Sequence, residues 1–189
     1  MTKLLLIRHS IPAWGPNDPP SKWVLTEEGR ERSKLLGEYL NQRRVGRIFA
    51  SDEVKAIETA EIAARVAGIS EVVTDHDLRE HDRDNSPRPS NVDRDTLVVE
   101  CIRNPDELVW GNESVATARD RFGSAVTRLM STVDHECVAL VAHGTVITTF
   151  VGQLLNVDPV PIWESMGIPW FIEIDWPSPT EISRQMSFE

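Results

Sequence analysis

The sequence predicts a three-layer α/β/α sandwich on a mostly parallel sheet with an antiparallel edge strand. Three observations carry this. The runs Lys3–Ile7 and Cys137–Ala142 are short, apolar and bounded by polar residues, as strands buried on both faces are. Strand-like runs alternate with segments of helical periodicity along most of the chain. The late run Trp170–Trp176 alternates apolar with polar, as a half-exposed edge strand does.

Taken in order, the first strand, Leu4–Ile7, leads into a Pro-rich loop from Pro12 to Pro20. Thr26 has the character of an N-cap for a helix reaching about Gln42, with Leu35, Leu36, Tyr39 and Leu40 as its apolar face. Arg47–Ala50 reads as a short strand. Glu53–Ala67 reads as a helix with Ile57, Ala60, Ile62, Ala63 and Val66 turned inward and Gly68 as its stop. Glu71–Thr74 is a third short strand. From His76 to about Pro105 the pattern is irregular and charged, with Pro87 and Pro89 inside it and a short helix over Val92–Ile102. A helix follows over Ser114–Val133, then the Cys137 strand and a helix from Thr145 to Leu155. Pro177 and Pro179 are expected to end regular structure.

A chain of 189 residues fits one domain with a sizeable core, residues 1–189, in which about 75–110 forms a lid or specificity insert. The formal net charge of −10 and the lack of a basic run argue against nucleic acid as a partner. No apolar run approaches the ~20 residues of a membrane span, and the N-terminus enters a strand with no signal-peptide pattern. Cys101 and Cys137 fit neither a disulfide framework nor a zinc site, so a reduced, cytoplasmic protein is expected. A small anion remains compatible with the acidic total, because a local cluster of cations governs the field inside a cleft.

Such a cluster can be assembled from the sequence. In open α/β sheets the ligand crevice lies beyond the carboxyl ends of the strands. The first strand ends in Arg8-His9-Ser10, and the late strand ends in His143-Gly144. Two strands therefore each deliver a histidine to one sheet edge. Ser51-Asp52-Glu53-Val54-Lys55 spans a strand-to-helix junction, where backbone N–H groups and Lys55 can meet an anion. Leu78-Arg79-Glu80-His81-Asp82 follows another strand and offers a carboxyl to the crevice, with His81 and Asp82 as rivals to Glu80. Glu113 and Ser114, after Trp110-Gly111-Asn112, read as helix-capping residues. His76 and His135 read as surface histidines.

In this order the motifs resemble those of the histidine phosphatase superfamily, the phosphoglycerate mutase-like proteins. The family's Arg-His-Gly is matched by Arg8-His9-Ser10. Its Leu-Thr-x-x-Gly helix start is matched by Leu25-Thr26-Glu27-Glu28-Gly29. Its Ser-x-x-x-Arg-Ala-x-x-Thr-Ala segment is matched by Ser51 to Ala60 with Lys55 in place of the arginine. Leu78-Arg79-Glu80, Asn112-Glu113-Ser114 and Val141-Ala142-His143-Gly144 complete the series and span nearly the whole chain.

The resemblance implies a metal-independent and cofactor-free phosphomonoester hydrolase acting through a phosphohistidine on His9. His143 is the second catalytic histidine, Glu80 the proton donor, and Arg8, Lys55 and Gly144 hold the phosphoryl oxygens. Neighbouring cations should lower the His9 pKa, and burial beside a phosphate should raise that of Glu80 toward neutrality. The implied partner is a small anionic phosphate ester, with no nucleic acid and no membrane; the oligomeric state stays open. Two alternatives stand beside this: a phosphomutase, and a non-catalytic binder of phosphorylated ligands. Lys55 motivates the second, since lysine keeps the charge but lacks the planar fork of arginine.

Overall fold

The computed structural model describes residues 1–15, 18–87 and 92–188. Its sheet contains β1 (Thr2–Arg8), β2 (Arg47–Ser51), β3 (Val72–Asp75), β4 (Cys137–Ala142), β5 (Trp170–Trp176) and β6 (Arg184–Ser187), in the order β3-β2-β4-β1-β5-β6. The first four run parallel; β5 and β6 add an antiparallel edge.

The helices are α1 (Glu27–Gln42), α2 (Val54–Ala67), α3 (Arg94–Arg103), α4 (Val115–Met130), α5 (Gly144–Leu155) and α6 (Pro159–Glu164). Alternate residues of β1 divide the core. Leu4 and Leu6 face a cluster with α4 and α5, whereas Leu5 and Ile7 face a cluster with α1 and α2. All four are fully buried, which stabilises the layers by roughly 1.5–3 kcal/mol per side chain.

Local signals place the helix ends. Thr26 Oγ1 accepts the N–H of Gly29 (2.9 Å), Asp93 caps α3 and Ser114 caps α4. Gly68 ends α2 in the left-handed region at φ 75°, where L side chains are strained.

Three expectations are corrected. Leu35 and Val66 are exposed; α1 buries Leu36 and Leu40 and α2 buries alanines, and the helices approach closely where Gly37 meets the Ala63 backbone. Regular structure does not end at Pro179, since β6 follows and pairs with β5. β5 is consequently not an edge strand, and its first five residues are buried. The sequence of β6, Arg-Gln-Met-Ser, has no apolar alternation, and the strand pairs with β5. The short helix α6 was not expected either. Pro89 of the charged segment lies outside the described residues.

Candidate active site

Register brings the two histidines together. β1 and β4 are neighbours with Arg8 opposite Ala142, so the next residues, His9 and His143, leave the sheet side by side. Their ring centroids lie 5.2 Å apart at 60°. The His9 N–H also bonds the Ala142 carbonyl (3.0 Å). On the other side of β4, β2 ends in Ser51, whose Oγ lies 2.9 Å from His143 Nε2. The site thus occupies the carboxyl ends of three adjacent parallel strands.

The tautomer of His9 follows from its partner. His9 Nδ1 lies 2.7 Å from the Ser10 carbonyl, which can only accept, so the proton sits on Nδ1 and the lone pair on Nε2. Burial, then Lys55, His143 and Arg8, push the imidazole well below its ordinary pKa. Burial and Lys55 do the same to His143. Both rings are therefore neutral at neutral pH, as expected for His9.

Glu80 departs from expectation. Its Oε2 accepts the N–H of Thr145 (3.1 Å), and its Oε1 accepts those of Val146 (3.3 Å) and His81 (2.9 Å). The carboxylate sits at the N-terminus of α5, where the helix dipole favours negative charge. Burial would raise its pKa, but Arg83, His143 and the backbone donors outweigh burial and hold it at about 2. In the ligand-free site Glu80 is ionised rather than poised near neutrality, because backbone donors solvate the charge that burial strips of water.

Arg8 directs Nη1 toward the Gly167 carbonyl (3.4 Å), and burial followed by Arg94 lowers its pKa to about 10, leaving it a cation. Its Nε and the Nδ1 of His143 are buried without a hydrogen-bond partner among the described residues. Gly144 opens α5; a Cβ there would meet the Arg8 Nε at 3.5 Å. Lys55 is buried, ion-paired with Glu53 and bonded to the Pro20 carbonyl (2.8 Å). Glu53 also accepts the Glu80 N–H (2.9 Å) and lies 3.5 Å from His143 Nε2.

Residues outside the sequence-derived set complete the site. Arg83 is 7% exposed and donates to His81 Nδ1 (3.2 Å) and Thr145 Oγ1 (2.7 Å). His81 Nε2 lies 2.7 Å from the Glu113 carbonyl, so both nitrogens of this rival to Glu80 are engaged. Asp82, the other rival, is exposed. Glu113 accepts from Arg121 (2.7 Å) and from the Asp82 N–H (3.0 Å), tying the start of α4 to the Glu80 loop; Ser114 is the cap. No charge period or apolar stripe marks Arg83 or Glu53, and nothing in the sequence of α2 marks Glu53 as the partner of Lys55. Among the described residues, no three His, Cys, Asp or Glu side chains gather as a metal site, and no helix is long and apolar enough to cross a membrane.

All six residues expected at the site, Arg8, His9, Lys55, Glu80, His143 and Gly144, line one cleft of about 930 Å³. Residues 4–168 match the histidine phosphatase superfamily (branch 1), and the chain belongs to that superfamily. It is 26% identical to phosphoglycerate mutase-like protein 4 of Arabidopsis thaliana over 155 residues, 77% of this chain and 67% of that protein. It is 27% identical to an acid phosphatase of Mycobacterium tuberculosis over 164 residues, 79% of this chain and 75% of the relative. In fold it is similar to a phosphoserine phosphatase mutant of Entamoeba histolytica in complex with phosphoserine. That likeness has TM-score 0.73 and 18% identity and covers 98% of this chain and 96% of that one.

Proposed function

We propose that this chain hydrolyses phosphate monoesters through a phosphohistidine on His9, with residues 75–110 as the insert that shapes the outer cleft. The observation that carries the reading is the His9 lone pair on Nε2, beside neutral His143 and cationic Arg8 at the mouth of α5. Relatives named as phosphatases support the same class.

The steps balance without a metal. His9 Nε2 attacks phosphorus, an N–P bond forms, and the P–O bond to the leaving group breaks. Arg8, Lys55, His143 Nδ1 and the Gly144 N–H meet the charge on the three equatorial oxygens. The leaving oxygen takes a proton from Glu80. That proton arrives with the substrate, since a dianion beside Glu80 raises the proton affinity of its carboxylate. Water then attacks the phosphohistidine, gives a proton to Glu80, and inorganic phosphate departs as the P–N bond breaks.

A mutase must grip a second anion, and the cleft is less suited to that. Arg79 pairs with Asp52, Lys55 with Glu53, and Arg121 with Glu113. The other alternative, a phosphate binder that does not turn over, rests on Lys55, whose ammonium is engaged by Glu53 and lacks the fork of arginine. Alkaline trapping of the enzyme after mixing with labelled aryl phosphate separates the two. A labelled histidine that His9→Ala abolishes supports hydrolysis; tight phosphate binding with no label refutes it.

A further inference from the structure

The cleft exceeds what a phosphoryl group needs. Its volume of about 930 Å³ is in the upper part of the range of small-molecule pockets, roughly 300–1,000 Å³. Four of the six tryptophans, Trp14, Trp23, Trp110 and Trp163, line it; the other two lie on β5. They come from three separate segments: the loop before α1, the turn before α4, and α6. Trp14 and Trp23 pack with ring centroids 4.7 Å apart. The guanidinium of Arg94 lies 5.1 Å from the Trp14 ring and that of Arg83 lies 5.0 Å from Trp110. Trp14 is 54% exposed and Trp23 is half-buried, whereas Trp110 and Trp163 pack one side against the Val98, Ile102 and Val160 cluster and are half-buried.

Three of the cleft carboxylates each already spend an oxygen on the protein itself. Asp84 Oδ1 accepts the Ser21 N–H (3.1 Å), Asp82 Oδ1 accepts the Asp84 N–H (2.9 Å), and Glu113 Oε1 holds Arg121. Beside them the four indoles and the Arg83 and Arg94 guanidinium groups offer flat surface to a leaving group.

We propose that the substrate's leaving group is a planar aromatic ring system, seated among Trp14, Trp23, Trp110 and Trp163, so that the chain selects aryl or arylmethyl phosphate esters over polyol phosphates. This rests on the phosphoryl-binding part of the function proposed above. For the aryl esters of this class the ionised state of Glu80 is in accord, because a phenolate leaves with far less help from an acid than an aliphatic alkoxide does.

Binding of phosphonates, which cannot turn over, tests ligand class apart from catalysis and apart from leaving-group acidity. Naphthylmethylphosphonate, methylphosphonate and the phosphonate analogue of glucose 6-phosphate are titrated by calorimetry. The aromatic ligand is expected to bind at least about tenfold tighter than either of the others. Trp23→Ala and Trp163→Ala should each bring that preference down to about threefold or less, a ratio that general loosening of the fold would not move. Equal binding of all three, tightest binding of the sugar analogue, or a preference that survives both variants overturns the proposal. Selective aromatic binding without a His9 label would sink the hydrolytic mechanism while leaving the ligand class standing; a His9 label with no aromatic preference would do the reverse.

Discussion

Lys55→Met tests how the site holds its anion. Lys55 and Glu53 are 4% and 5% exposed, so the variant leaves a carboxylate buried against His143 with only the Glu80 N–H for company. Breaking one side of a buried ion pair costs about 3–5 kcal/mol. For a domain of this size about 2–4 °C of Tm accompanies each kcal/mol, which gives a fall of roughly 6–20 °C in a thermal scan. Phosphate binding should weaken as well, since a charge-assisted contact is worth about 1.5–3 kcal/mol, or roughly ten- to a hundredfold in Kd. The double variant Glu53→Leu/Lys55→Met removes both charges and should regain most of the lost Tm. Calorimetric titration with inorganic phosphate then decides the matter. If the ammonium acts on phosphate, the double variant stays weaker than the parent. Full recovery of both Tm and phosphate affinity would show the pair to be a prop, and the binding role given to Lys55 would fall.

Lys55→Arg alone should not improve kcat/KM, because the guanidinium fork will engage the Glu53 carboxylate; Glu53→Leu/Lys55→Arg, which frees that fork, should raise it several-fold. Steady-state kinetics on an aryl phosphate distinguish these. Glu80→Gln should slow esters of aliphatic alcohols at least about tenfold more than aryl esters, read as the ratio of their kcat/KM values. Stability should fall in acid. His9 and His143 are held well below the ordinary histidine value, so the unfolded chain binds their protons first. Each contributes a loss of up to about 1.4 kcal/mol per pH unit as pH drops below the unfolded pKa of about 6.5. Glu80, at about 2, adds a loss of the same sign below about pH 4.5. Urea melts between pH 7 and 4 should show this slope, and His143→Asn should reduce it above pH 4.5. A pH-independent midpoint would contradict the burial of neutral imidazoles.

Much of the site was legible because it hangs on strand ends. A buried apolar run ending in Arg8-His9 or His143-Gly144 fixes both a strand and the side of the sheet to which its last residue goes, and the structure sets the two ends side by side. Where periodicity carries no information, legibility failed. Arg83 lies in a stretch of alternating charges in which any residue could have faced water; contact with Thr145, 62 residues away in sequence, is what buries it. Glu53 is the N-cap of α2 and Lys55 its second residue, a spacing at which helical rules for i, i+4 pairs do not apply. Glu80 was placed at the crevice correctly, yet its charge state depends on backbone donors of α5 that arrive only with the tertiary fold.

That last point ties the acidic total to an anion site. A chain of net charge −10 repels phosphate at long range, and its cleft answers with buried cations. Carboxylates accompany most of them: Glu53 meets Lys55, Glu80 offsets Arg83, and Glu113 holds Arg121. Arg8 differs, since among the described residues its Nε is buried without a partner, as is the Nδ1 of His143. Each such unmet polar atom costs about 1–3 kcal/mol of desolvation. The Arg8 Nε–H, an obligate donor beside the proposed nucleophile, is tolerable in a stable fold if an anion completes it. Under the proposed mechanism the arrangement places the strongest attraction at the point where phosphorus must stand for His9 to reach it, rather than spreading it over the cleft. Replacing Arg8 with Lys, which has no Nε–H donor at that position, should consequently cost more in kcat than in KM.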